Sequence, residues 1–353
     1  METGHSMLKH LRRFVSAASI LYLLAILGYL VLRGLFGDRF WWLSLVNTFA
    51  YGLFLPLIIL LPLALLTRGQ RATLTLLPVI LVGALWFTPY YLPKHLPASG
   101  GTTLKVLTAN VWGNNHDLRA IEAWIAQSGA DIVLMQEISP AYAGENLPGL
   151  LDLYPYQANQ ADNTRWGSNT TLSRYPVESI DVVDLGIPDQ PTPVRMVVDV
   201  AGELIAVYNV HLAWPVGPAR LALPVDNFYL NVAFGFNDRV RNQQIEALLR
   251  QLQAEPHPYI VGGDFNMSDH TVTYQQVAAQ MRDSFREGGT GLGKTWPVST
   301  ARGMASVIPP LLRLDYLWHS DHFHTREAQV GPFIGSDHLP VLAVLELSAA
   351  QGR

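Results

Sequence analysis

Two short stretches in the C-terminal third carry side chains suited to chemistry on a phosphate: Gly262-Gly263-Asp264-Phe265-Asn266 and Ser336-Asp337-His338. Each lies directly beside a strand-like apolar run and sets carboxylate, amide or imidazole groups one or two positions apart. Asp264 and Asn266 project to one side of an extended segment. The glycines before Asp264 leave room for the backbone to approach a ligand closely. A histidine, with an unperturbed pKa near ~6.5, suits proton transfer at neutral pH. Hydrolysis of a phosphate ester asks for such groups, together with a divalent cation, around one phosphorus.

Further polar residues stand where other apolar runs end: Asn110, Glu137, His211 and Asp315. Taken singly, each has a plainer explanation. Glu137 would pass for a surface carboxylate at a strand exit, Asn110 for a turn residue, Asp264 with Asn266 for an Asx turn, and either histidine for a structural core residue. Their shared placement at strand ends is what sets them apart.

The elements that must position them read as a mixed set. Leu104 to Thr108, Asp131 to Met135, Tyr259 to Val261, Leu314 to Trp318 and Pro340 to Leu347 are strand-like. Val194 to Val200 and Glu203 to Val210 read as antiparallel partners joined at Ala201-Gly202. Asp117 to Gln127, capped by Asp117, and Arg239 to Leu252 have helical periodicity. Without a regular βαβ repeat, the expected class is an α/β sandwich of two packed mixed sheets flanked by helices.

Asn110 after a strand, Gln136-Glu137, Asn209-Val210-His211, Gly-Asp-Phe-Asn, Leu314-Asp315-Tyr316 and Ser-Asp-His, in that order, resemble the endonuclease/exonuclease/phosphatase superfamily. DNase I-like nucleases, inositol-phosphate phosphatases and neutral sphingomyelinases belong to it. The resemblance spans residues 102–348 and implies a DNase I-like sandwich. It implies Mg²⁺, with Mn²⁺ as an alternative, held by Glu137 with Asn110 and Asp337; Mg²⁺ prefers hard oxygen ligands. Asp264 and Asn266 would orient the attacking water and bind phosphate. His338 would be the general base, with Asp315 fixing its tautomer, and His211 would donate to the phosphoryl oxygens. Arg195, Trp214 and Trp296 are further candidates for substrate contact, and Ser168-Asn169 to Arg174-Tyr175-Pro176 resembles a structural segment of the family. His116, His257, His270, His319, His322 and His324 read as surface or loop residues. Abasic-site repair nucleases carry an acidic residue two positions after the asparagine, where this chain has Trp112.

Composition narrows the setting. The chain has 353 residues, no cysteine and 49% hydrophobic residues, so disulfides, thiolate metal sites and cysteine nucleophiles are excluded. Seven of the 24 basic and two of the 28 acidic residues lie in residues 1–93, leaving 17 basic against 26 acidic downstream. That acidic balance disfavours nucleic acid as a partner.

The hydrophobic excess sits at the N-terminus. Residues 1–93 are read as a membrane anchor with spans at about 14–32, 41–66 and 73–92, each near the ~20 residues a crossing requires. Trp41, Trp42, Trp86, Tyr90 and Tyr91 suit the interfaces. Lys9, Arg12 and Arg13 before the first span, and Arg68 and Arg71 before the third, favour a cytoplasmic N-terminus. Three crossings would then place the domain outside. A linker (94–101), the domain (102–348) and a short tail (349–353) complete the chain. The segment from Trp214 to Phe236, with Val307 to Leu312, is apolar enough to form a membrane-facing rim.

The expectation is a bacterial inner-membrane phosphoesterase with its domain on the periplasmic or outer side, acting on a phospholipid or polyprenyl-phosphate. The bacterial assignment comes from resemblance to small anchored members. The alternatives are an extracellular nuclease, a soluble sugar- or inositol-phosphate phosphatase, and a non-catalytic receptor on the same fold.

Overall fold

The computed structural model describes residues 2–94, 100–115, 119–139, 147–160, 168–188, 190–218, 220, 228–298 and 309–348. Asp117, His116, Leu221, Leu223, Val307, Ile308, the linker positions Pro97 and Ser99, and the tail lie outside the described residues. The chain forms two compact units, Met1–Leu92 with His270–Val272, and Pro93–Asp269 with Thr273–Arg353.

The N-terminal unit is helical: α1 (Glu2–Phe36), α2 (Trp41–Thr48), α3 (Leu57–Leu66) and α4 (Gln70–Phe87). At ~1.5 Å per residue α1 is roughly 52 Å long, well beyond a ~30 Å hydrocarbon core. Exposed Leu21, Leu24, Ile58, Leu66 and Leu85 give the unit an apolar outer surface suited to lipid. The expected second span is not one helix. Two helices, Ser6–Phe36 and Gln70–Tyr90, are long and apolar enough to cross alone, whereas Trp41–Thr48 and Ala50–Leu66 are bent by 73°. The chain leaves helical geometry at Phe49, and Pro56 lies at the entry to α3, where proline cannot continue a hydrogen-bonded ladder. Asn47, buried at the end of α2, donates to Gly37 O at 3.1 Å and Asp38 Oδ1 at 2.7 Å. A third crossing exists only if the bent pair traverses the bilayer as one span.

The second unit is a two-sheet sandwich. Its elements are β1 (Thr103–Asn110), α5 (Arg119–Ser128), β2 (Ile132–Ile138), β3 (Tyr156–Gln160), β4 (Ser168–Ser173), β5 (Val177–Val182), β6 (Val194–Val200), β7 (Glu203–His211), α6 (Phe228–Gly235) and α7 (Arg239–Gln253). They continue with β8 (Tyr259–Asp264), α8 (Val272–Ala278), β9 (Arg282–Asp283), α9 (Ser284–Gly288), β10 (Asp315–His319), β11 (Phe323–Val330) and β12 (Val341–Leu347). The first sheet runs β11-β12-β1-β2-β4-β3 and the second β5-β6-β7-β8-β10-β9. At the centre of each sheet lies a parallel pair, β1 with β2 and β7 with β8, joined by a helical crossover (α5 and α7).

Period-two patterning builds the layers. Leu104, Val106, Ile132 and Leu134 face Val194, Met196, Val198, Ile205, Val207, Ile260 and Leu317 between the sheets. The alternate residues Leu107, Val133 and Met135 pack under Ile121 and Ile125 of α5. Ile245, Leu248, Leu249 and Leu252 of α7 cover Tyr208, Val261 and Trp318. Gly262 and Gly263 serve this packing. A Cβ on Gly262 would lie 2.4 Å from Leu134 Cδ1 across the sandwich, and one on Gly263 would lie 1.7 Å from Val210 O.

Several strands escaped the sequence reading. β3, β5 and β11 are edge or near-edge strands with polar alternation, as in Phe323-His-Thr-Arg-Glu-Ala-Gln-Val, so no continuous apolar run marks them. His319, expected at the surface, is fully buried on β10 and contacts Glu287 Oε2 and Thr325 Oγ1, each at 2.9 Å. His270 is buried as well.

Candidate active site

The inward face of the sandwich changes character at one rim. Counting by twos along β1, the inward residues are Leu104, Val106, Thr108 and then Asn110; along β7 they are Ile205, Val207, Asn209 and then His211. Gln136 on β2, Asp264 on β8 and Asp315 on β10 lie on the same inner side. His211 pairs with Asp264 in parallel register, and Asp264 with Asp315 in antiparallel register. β12 begins beside the end of β1, which brings Ser336-Asp337-His338 to the same rim. Two parallel strands per sheet ending together gather these groups, as open α/β sheets place ligands at strand carboxyl ends.

Glu137 breaks the alternation. Its parity matches the outward Val133 and Met135, yet a bulge between Met135 and Ile138 and a left-handed φ of 57° turn it inward. Its Oε1 accepts from Asn110 Nδ2 at 2.8 Å, and its Oε2 from Gly113 N at 3.0 Å. Asn110 Nδ2 also donates to Asp264 Oδ2 at 3.1 Å, while Asn110 Oδ1 accepts from Trp112 N at 3.0 Å. The expected amide-oxygen ligand at Asn110 is therefore not what the structure shows. The amide nitrogen faces the carboxylates and holds the two side by side.

His211 Nε2 lies 3.7 Å from Glu137 Oε1 and 3.9 Å from Asp264 Oδ2. His338 Nε2 lies 3.7 Å from Asp264 Oδ2, and its Nδ1 is 2.9 Å from Asp315 Oδ2. Two trios have ligand atoms all within 4.8 Å of one another: Glu137 with His211 and Asp264, and Asp264 with Asp315 and His338. Buried carboxylates this close repel one another, which a divalent cation would relieve, and Asp315 Oδ1 is buried with no hydrogen-bond partner among the described residues. The donor set thus fits a cation.

Burial pushes the Asp264 carboxyl up to about 8, and Asp315 and Glu137 add to the rise against the opposing pull of His338 and the Asn266 N–H. For His338 burial works against the charge, but Asp315 and Asp264 outweigh it and raise the imidazole to about 10. The carboxylate on Nδ1 thus favours the imidazolium form of His338 and fixes the orientation of its ring, with Nε2 facing Asp264.

Asn266 closes an Asx turn, its N–H on Asp264 Oδ1 at 2.8 Å, and its own Nδ2 donates to Leu212 O at 2.8 Å. Asp337 belongs to neither trio, and its Oδ2 accepts from the Trp296 indole N–H at 3.3 Å. Trp296 is buried, its ring 6.3 Å from His338 and 5.3 Å from the half-buried Trp214, so the two tryptophans wall one side of the site. Arg195 does not reach it. Its guanidinium pairs with Glu255 at 2.7 and 3.0 Å and with Asp181 at 2.9 Å, since its parity on β6 points away from the inner face.

Sequence reasoning missed the supports. Arg241 on α7, nearly fully buried, donates to Asn266 O at 2.8 Å and to Asp238 Oδ2 at 3.1 Å. An arginine in phase with Ile245, Leu248 and Leu252 was the available signal. Ser336 Oγ donates to Asn110 O at 2.7 Å and accepts from His338 N at 3.1 Å, tying the last motif to the first strand. Thr295 Oγ1 accepts from Leu314 N at 3.1 Å beside Asp315. Beyond Trp214 the apolar segment has a closed stem. Val216 pairs with Phe236, Gly217 N donates to Gly235 O at 2.9 Å, and Arg220 donates to Phe236 O at 2.7 Å.

Two packed mixed sheets gather carboxylates and imidazoles at one set of strand ends, an arrangement suited to chemistry on a phosphate ester. A model of the Endonuclease/Exonuclease/phosphatase family matches residues 107–338, and the chain belongs to that family. No curated protein matches the sequence. Among solved structures, the fold is similar to an endonuclease/exonuclease/phosphatase from Bacteroides vulgatus (18% identity, 70% of this chain and 99% of that one, TM-score 0.54). It is also similar to one from Beutenbergia cavernae (19% identity, 70% and 72%, TM-score 0.51). A truncated TDP2 from Caenorhabditis elegans is similar too (15% identity, 69% and 98%, TM-score 0.51).

Proposed function

We propose that this protein is a membrane-anchored, divalent-cation-dependent phosphoesterase acting on a phospholipid or polyprenyl-phosphate ester. One juxtaposition carries the reading: Glu137 from one sheet and His211, Asp264 and Asp315 from the other meet His338 in two trios that share the buried Asp264. Glu137, Asp264 and His211 would hold the cation, Mg²⁺ first and Mn²⁺ as the alternative. When bound, it neutralises charge on the phosphoryl group. Asp264, facing both His211 and His338, is the carboxylate placed to take a proton from the attacking water. His338, kept cationic by Asp315, donates toward the phosphoryl or leaving oxygen as charge develops.

The apolar helices of the first unit and the acidic balance of the second support a lipid substrate over nucleic acid. Trp112, standing where abasic-site nucleases carry an acid, supports the same choice. The paired ends at Val216-Gly217 and Gly235-Phe236, with Leu230 exposed on α6, suit a rim at the headgroup level.

Purified full-length protein in nanodiscs is assayed on lipid, polyprenyl, sugar and nucleic-acid phosphates with Mg²⁺, Mn²⁺, Ca²⁺ or EDTA, beside His338→Ala. Metal-stimulated release from lipid phosphates supports the reading; turnover of DNA alone would replace it with a nuclease. Placement on the outer side of a bacterial inner membrane requires the bent pair to cross as one span. Alkaline phosphatase activity from a reporter fused after Arg353 agrees with that placement, and a fluorescent GFP fusion opposes it.

A further inference from the structure

Glu137 reaches the site only through the bulge in β2, and the group that fills that bulge comes from the opposite sheet. Asn209 on β7 is fully buried, and its Nδ2 donates to Met135 O at 3.1 Å, Thr170 O at 3.0 Å and Thr171 Oγ1 at 3.2 Å. Met135 and Thr170 form the last regular pair of β2 with β4 before the register shifts. Asn209 Oδ1 accepts from Gln136 Nε2 at 2.7 Å, and Gln136 exchanges contacts of 3.2 and 3.3 Å with Thr108 Oγ1. Gln136 and Thr108 are fully buried as well.

Elsewhere the inter-sheet core is made of valine, leucine, isoleucine and other apolar side chains, whose contacts are non-directional. A cation site with Glu137 in one sheet and His211 and Asp264 in the other needs tighter registration than such contacts supply. We propose that Asn209 is a positioning residue that locks the β2 bulge, and with it the inward turn of Glu137, to the sheet carrying His211 and Asp264. In the same strand Asn209 precedes His211 by two positions, so one segment sets both the histidine and the partner carboxylate. This inference rests on the reading of Glu137 as a cation ligand.

The test compares Asn209→Ala and the gentler Gln136→Met with Val207→Ala, an apolar core change two residues earlier in β7. All three are full-length and detergent-purified, with thermal midpoints recorded. Mn²⁺ binding is read by the free-ion EPR signal, and half-saturating Mg²⁺ by phosphoesterase turnover. The expected result is Mn²⁺ affinity weakened about 10- to 100-fold in Asn209→Ala, the range for groups that orient metal ligands. Gln136→Met should show a several-fold loss and Val207→Ala none despite its lower midpoint. Excess Mg²⁺ should recover part of the Asn209→Ala turnover. If Asn209→Ala does not fold, Gln136→Met decides. Wild-type affinity in a folded variant, or an equal loss in Val207→Ala, overturns the proposal. A wild-type protein that binds no Mn²⁺ and turns over no phosphate ester removes the functional reading, and this inference falls with it.

Discussion

Replacing Asp315 by asparagine isolates the electrostatics of the site with little change of shape. The carboxylate lies 2.9 Å from His338 Nδ1, is fully buried, and is the largest of the influences that raise the imidazole to about 10. A hydrogen bond to a charged group contributes about 1.5–3 kcal/mol, or roughly one to two pH units of His338 affinity for its proton. The group's raised value means its stabilisation is complete below the unfolded value near ~6.5 and fades as pH rises through about 10. Asp315→Asn should therefore bring the alkaline decline of both stability and turnover to lower pH by one to two units. The acid limb moves down too, because Asp315 also raises Asp264, and a bound cation lowers it further. The alkaline limb is thus the diagnostic one. The assay is kcat/KM for a chromogenic phosphodiester in saturating Mg²⁺ from pH 6 to 11, beside thermal midpoints in the same buffers. Turnover at pH 8 should fall about 10- to 100-fold. An unshifted alkaline limb with unchanged kcat would refute the Asp315–His338 coupling.

Three further outcomes follow from named contacts. Glu137→Gln should reduce metal-stimulated turnover by at least about 100-fold, beyond the effect of losing a group that merely orients a ligand; metal-titrated kinetics and an unchanged circular dichroism spectrum check it. Arg195→Met should leave activity per folded molecule at the wild-type level and cost roughly 2–3 kcal/mol, since Glu255 loses its buried partner but keeps the Tyr208 hydroxyl; urea unfolding measures it. Burial disfavours charge on Glu287, but His319 and the Thr325 N–H outweigh it and hold the carboxyl down to about 2. Its contribution is present above the unfolded value near ~4.3 and lost as pH falls toward 2, so Glu287→Gln should flatten the acid loss of stability by about 1–3 kcal/mol.

Local pattern was enough to announce the sandwich and the chemistry. Apolar alternation marked β1, β2, β6, β7 and β10, and short polar motifs at their ends named Glu137, His211, Asp264, Asp315 and His338 in advance. These signals survive in sequence because strand period and motif spacing are short-range properties. Roles that depend on partners did not survive in that form. Arg195 looks like a phosphate ligand until Glu255, 60 residues away, is seen to hold it. Asn110 and Asp337 have partners that no local pattern announces, Trp112 N on the amide oxygen and the Trp296 indole on the carboxylate.

The amino-acid sequence by itself determined which groups lie at strand ends, the absence of thiol chemistry and the apolar character of the first ninety residues. Tertiary structure decided what those groups are. A buried carboxylate on Nδ1 favoured the charged form of His338, a bulge reversed the direction of Glu137, and a 73° bend divided the middle apolar stretch. Each outcome comes from charges, carbonyls and backbone turns brought together across dozens of residues, and Coulomb energy and hydrogen bonding depend on distance in space rather than along the chain.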